Sequence, residues 1–190
     1  MRKVLIASAG TAAAMLAGAA QAQTQVAPPA TNQITFKGAV QPGCITSVPA
    51  SNSSQNATVT QQVAGSANVV VTRLVGDDGV PLGAQIVLSL PAACNQAHTL
   101  NLSSLNGGLM NANGPAAGSA AFRALLPYTV QVNWAGQTQV LTSSEGAVTQ
   151  PVSDAATGPV SVTIQIPAGG SPMVAGSYSD QLVLELGVAG

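Results

Sequence analysis

The chain has 190 residues, and only eleven are charged, five Lys or Arg and six Asp or Glu: 6% where an ordinary soluble domain has about 25%. At 46% hydrophobic it is no disordered tail, its few cations cannot build a nucleic-acid-binding face, and its single His argues against a histidine-built metal site. What remains is one β-rich domain kept in solution by Ser, Thr, Asn and Gln.

In chain order, Arg2 and Lys3 form a positive start, and Val4 to Ala19 follows as an apolar, small-residue stretch. Ala20-Gln21-Ala22 then reads as an A-x-A cleavage site, so residues 1–22 are expected to be a signal peptide. Removing them leaves three cations against six carboxylates. No later run approaches the roughly 18 apolar residues that a membrane span needs. Export places the two cysteines, Cys44 and Cys94, in an oxidising compartment. Neither has C-x-x-C spacing or neighbouring ligands, so a structural disulfide is expected rather than a redox pair or a metal site.

Pro28-Pro29 and the residues around them read as an extended arm, and 23–41 is taken as an N-terminal extension ahead of a domain over 42–190. Period-two alternation begins in that arm, with Ile34, Phe36, Gly38 and Val40 on one face and Thr35, Lys37 and Ala39 on the other. It returns at Ile86, Leu88 and Leu90, at His98, Leu100 and Leu102, and at Tyr128, Val130, Val132 and Trp134. Val160 to Ile166 repeats it before Pro167, and Tyr178, Asp180, Leu182, Leu184 and Leu186 carry it last. Turn formers separate these runs: Gly76-Asp77-Asp78-Gly79, Asn106-Gly107-Gly108, Asn111 to Gly118, and Ala168 to Pro172. Six or more short strands between polar turns predict an antiparallel β-sandwich.

The inventory for chemistry is thin. Glu145 and Glu185 are the one pair that could serve as acid and base, but a sugar cleft needs more aromatics than this chain supplies. Asp77-Asp78-Gly79 lacks the alternating oxygen ligands of a calcium loop and reads as a turn. His98 reads as a surface or edge histidine, and the N-x-S/T triplets at Asn52, Asn56 and Asn101 as chance matches in a polar chain. No catalytic residue, metal or cofactor is expected.

Three segments resemble a known family. Ile34-Thr35-Phe36-Lys37-Gly38-Ala39-Val40, soon followed by Cys44, resembles the N-terminal extension of chaperone–usher pilus subunits. Gln85 to Leu90 leading into Cys94 is similar to the pilin strand that ends at the second cysteine. Gly176-Ser177-Tyr178-Ser179-Asp180 with its alternating leucines looks like the closing strand of spore coat U-type proteins, which include archaic pilins. The chain departs from many pilins in ending Val188-Ala189-Gly190 without a penultimate tyrosine.

The resemblance implies an immunoglobulin-like sandwich that lacks its last strand and is completed by a donor strand. Ile34, Phe36, Gly38 and Val40 would be the donor to a neighbour's groove, and the alternative is that they form the domain's own first strand. Tyr178, Leu182, Leu184 and Leu186 would edge the groove and meet a periplasmic chaperone, helped by the carboxylate at Gly190. The implied partners are that chaperone, an outer-membrane usher and neighbouring subunits, equal or different, with a host or abiotic surface beyond. The implied location is the periplasm in transit and then a surface pilus. Two other functions stay open: a one-domain tip adhesin or lectin-like module binding through Met110 to Pro115 and Met173 to Ala175, and a self-contained secreted coat protein.

Overall fold

In the computed structural model, which describes residues 34–63 and 65–188, the alternating runs from Ile86 onward become strand, except that Tyr128 precedes its strand and the last run breaks at Asp180. The expected signal peptide, its cleavage residues Ala20 and Ala22, and the first part of the arm lie outside the described residues. The chain divides between Ala39 and Val40. Residues 34–39 hold no strand, and neither do 40–43.

Fourteen strands follow among the described residues: β1 (Cys44–Thr46), β2 (Ala50–Gln55), β3 (Ala57–Val63), β4 (Ser66–Val71), β5 (Leu82–Cys94), β6 (His98–Ser104) and β7 (Leu109–Asn111), then β8 (Leu125–Leu126), β9 (Thr129–Trp134), β10 (Gln137–Thr142), β11 (Ala147–Val152), β12 (Ala156–Ala168), β13 (Tyr178–Ser179) and β14 (Leu182–Val188). The larger sheet runs β1-β5-β12-β9-β10, with β2 also on β5, and the facing sheet runs β11-β6-β14. Every ladder is antiparallel. The fold is an all-β sandwich, as the alternation predicts.

Its core follows from the period. Ile86, Leu88, Val130, Val132, Leu141, Val160 and Val162 face inward from the larger sheet, and Leu100 and Leu102 meet them from the other. Between these positions stand Ser89, Ser161, Thr163, Gln131 and Asn133, none of them buried, which hydrate the outer face without charge. A small sheet β13-β7-β8 and the hairpin β3–β4 complete the unit.

One proline explains an interruption. Pro91 and Pro159 are paired in register, and the Pro91 carbonyl accepts from Ser47 N–H at 2.9 Å. The missing N–H of Pro91 faces the same edge, so no continuous strand can pair there. β1 therefore pairs with residues 92–94 of β5 and β2 with residues 85–89.

Ala135 and Gly136 join β9 to β10 with φ of 50° and 74°. Two left-handed residues make the hairpin turn that matches strand twist, but alanine pays a Cβ penalty there. Ala135→Gly is expected to raise stability by about 0.5–1 kcal/mol, measured by urea unfolding. A lowered midpoint would contradict this account of the turn.

Candidate functional site

β14 is hydrogen-bonded to β6 on one side and to no described strand on the other, although β1 lies close to it. Leu105 N–H donates to Gln181 O at 3.0 Å, just ahead of the register Leu182↔Ser104. In an antiparallel ladder the bonding direction alternates, so Val183, Glu185 and Gly187 bond to β6. Leu182, Leu184, Leu186 and Val188 then direct their N–H and C=O groups to the open edge. Of these, Leu182, Leu184 and Leu186 also pack against the core, and Val188 is exposed at the strand end. Leu184 and Leu186 are half-buried, although their register partners on β6, Leu102 and Leu100, are fully buried. Among the described residues no strand pairs with the free edge of β14.

The opposite side of the sandwich is closed by the chain itself. β10 passes to β11 through a 3-10 turn at Ser143–Glu145, and Gln150 Nε2 donates to Gln137 Oε1 at 2.9 Å between these strands. Gln150 and Val152 are buried. The open strip is therefore on the β14 side.

Asp180 fixes the start of that strip. Its carboxylate accepts from Ser104 Oγ at 2.6 Å, Tyr128 Oη at 2.7 Å, and the backbone N–H groups of Asn106 and Gln181, both at 2.8 Å. Ser104 Oγ in turn accepts from Gly107 N–H at 3.1 Å, and Ser143 Oγ links Gly107 O to Tyr128 N–H. Gly108 beside this network must remain glycine, since a Cβ would lie 2.6 Å from Leu126 O with φ at 142°.

Burial foremost, then the hydrogen bond to Asp180 and its negative charge, raise the Tyr128 phenol well above its ordinary range. A raised value favours the neutral phenol in the folded state, whereas the unfolded phenol titrates near 10. Its contribution is intact below about pH 10 and is lost as pH climbs above it. Tyr128→Phe should cost about 1–2 kcal/mol at pH 7 and flatten the decline in stability above pH 10. Denaturant titrations at both pH values check this, and an unchanged alkaline slope would contradict it.

At the other end of the strip, Cys44 and Cys94 form the expected disulfide, directly opposite each other in the β1–β5 register with Cα atoms 4.1 Å apart. Asn95 fastens the segment just before it. Its Nδ2 donates to Gln41 O at 2.7 Å, its Oδ1 accepts from Gly43 N–H at 2.8 Å, and its own N–H donates to Gly43 O at 3.1 Å. Asn95 was not among the residues singled out from sequence; a polar residue directly after a bridged cysteine is the only local signal. Ile34, Phe36 and Val40 are 77%, 90% and 87% exposed.

Other expectations meet corrections. Tyr178 does not share a strand with the leucines: it sits in β13, paired with β7. Its hydroxyl donates to Val174 O at 2.7 Å, which pulls the chain into the small sheet until Asp180 redirects it. His98 is buried, not at the surface. The indole N–H of Trp134 can only donate, so it donates to His98 Nε2 at 2.8 Å, and Nδ1 donates to Gln96 O at 2.9 Å. Met173 belongs to the core and Asn111 is buried, so the apolar side chains exposed near these loops are instead Leu105 and Phe122.

Glu145 and Glu185 stand on separate elements, Glu145 accepting from Thr142 N–H and Glu185 in register with Asn101. Asp78 accepts from Val80 N–H within its turn, and Asp77 pairs with Arg73. Asn56, with φ of 56°, spends its side chain on Arg73 and Gly83 backbone groups. Among the described residues no three His, Cys, Asp or Glu side chains come together.

Comparison with known proteins yields no matching family model and no matching curated protein.

Proposed function

We propose that this chain is a non-enzymatic structural subunit of a surface pilus, assembled by donor-strand exchange along the chaperone–usher route. The observation that carries the reading is the open edge of β14 with its half-buried leucines, in a chain that also presents an exposed apolar alternation ahead of Cys44.

The physics of such an edge is simple. Unpaired N–H and C=O groups beside uncovered apolar side chains invite another strand, and strand addition satisfies both at once. An added strand with Ile34, Phe36 and Val40 inward would bury side chains worth roughly 1.5–3 kcal/mol each. The sandwich is then immunoglobulin-like and incomplete, with residues 34–40 serving as donor. A periplasmic chaperone holds the edge in transit, an outer-membrane usher exchanges it for a neighbour's arm, and the fibre serves adhesion or biofilm formation.

The disulfide fits export, and so does the low charge. A surface that spends its life against neighbours has less need of charge for solubility.

Two variants test the reading. A chain lacking residues 31–41 should still form a soluble, disulfide-bonded complex with the cognate chaperone and yet give no SDS-resistant ladder. Leu184→Asp, which puts a carboxylate in the strip, should abolish co-purification with that chaperone. Ladders from the armless chain, or its failure to fold on the chaperone, would overturn the proposal.

A further inference from the structure

Resting on that reading, we infer that the occupant of the β14 edge is residues 34–40 of a second copy of this chain, antiparallel, in a register set by Lys37 beside Glu185.

The argument begins from charge. Beyond Ala22 the chain has three cations. Arg73 is paired with Asp77, and Arg123 donates to the Ser171 and Gly169 carbonyls. The third, Lys37, is at the centre of the arm alternation, exposed. Glu185 is the one charged residue of β14, at the centre of its seven residues, also exposed and on the outer face. In so sparsely charged a chain, one cation and one carboxylate at matching centres form a specific pair.

The rest of the register follows without adjustment. Setting Lys37 opposite Glu185 places Ile34 opposite Val188, Phe36 opposite Leu186, Gly38 opposite Leu184, and Val40 opposite Leu182. These eight residues then share the core-facing side of the added pair, while Thr35 and Ala39 lie outward against Gly187 and Val183. Leu182, Leu184, Leu186 and Val188 are the residues whose backbone groups point to the open edge, so each exchanges two hydrogen bonds with its partner. Lys37 and Glu185 then form a non-hydrogen-bonded pair, the type that brings side chains closest. Gly38 leaves room for Leu184.

Competing registers lose something definite. A slip of one residue turns the apolar set outward. A slip of two sets Lys37 against Val183 or Gly187 and leaves Glu185 against Thr35 or Ala39. Because both partners of the ion pair are encoded in one chain, the match predicts a homopolymer.

The test uses the full exported chain, released from its chaperone and followed by SDS-resistant ladder formation. Lys37→Glu and Glu185→Lys should each slow elongation about three- to tenfold, since like charges directly opposite are destabilising. The double variant, with the charges exchanged, should return to within about twofold of the parent. In a second arm, Ala39→Cys with Val183→Cys should give ladders that survive boiling in SDS until they are reduced, and Thr35→Cys with Val183→Cys should not. Equal cross-linking by the second pair, which a parallel arm would produce, overturns the register. Single charge variants that elongate normally overturn the role of the pair. If the pure chain forms no ladder but joins a different subunit through its arm, the second-copy occupant is overturned and donor-strand exchange stands. Ladders that persist without residues 31–41 overturn donor-strand exchange itself.

Discussion

Four hydrogen bonds converge on the Asp180 carboxylate, from the end of β6, the turn after it, the residue before β9 and the residue that leads into β14. Bonds to an ionised acceptor are worth about 1.5–3 kcal/mol each, more than most in a small domain. They take the chain out of the small sheet, where Tyr178 is held, and start β14 in register with β6. Without that junction the alternation of Leu182, Leu184 and Leu186 would have no fixed face. The direction of the open edge thus depends on a residue that is not part of it.

The sandwich is asymmetric for reasons of connectivity. Where β10 turns into β11 the chain covers its own flank, and Gln150 and Val152 are buried behind it. On the β14 flank β1 comes close but does not pair with it, and leucines in the same rows as Leu100 and Leu102 remain half open. Exposed edges are usually blunted by lysine, proline or a bulge. β14 carries none of these, and its single charge is Glu185.

How much of this could be read in the sequence depends on the range of each interaction. Val160 to Ile166 and Tyr128 to Trp134 alternate cleanly because β12 and β9 are central and one face of each is buried. β10 and β11 were not legible: Gln137, Thr138 and Gln139 are polar on both faces, and Leu141 is the buried apolar residue of β10. The β3–β4 hairpin was hidden for the same reason, its Val59 and Val69 being only partly covered. The disulfide was legible from a count of two. Asp180 stood in the sequence as a carboxylate near the last strand, but its partners Tyr128 and Ser104 are 52 and 76 residues away. No local pattern encodes such a meeting. His98 was misjudged as exposed because its partner, Trp134, is 36 residues distant.

The fastening at Cys44 has a mechanical side. β1 is only three residues long, and its ladder alone would shear or peel under modest load. Tension applied to the chain ahead of it reaches Asn95 and then the covalent bridge to Cys94, at the end of β5. β5 is thirteen residues long and is bonded to β12 along nearly all of it. A pull on the arm is therefore delivered to a strand paired along both of its edges, spread over many hydrogen bonds at once, and the short strand in between is relieved of it.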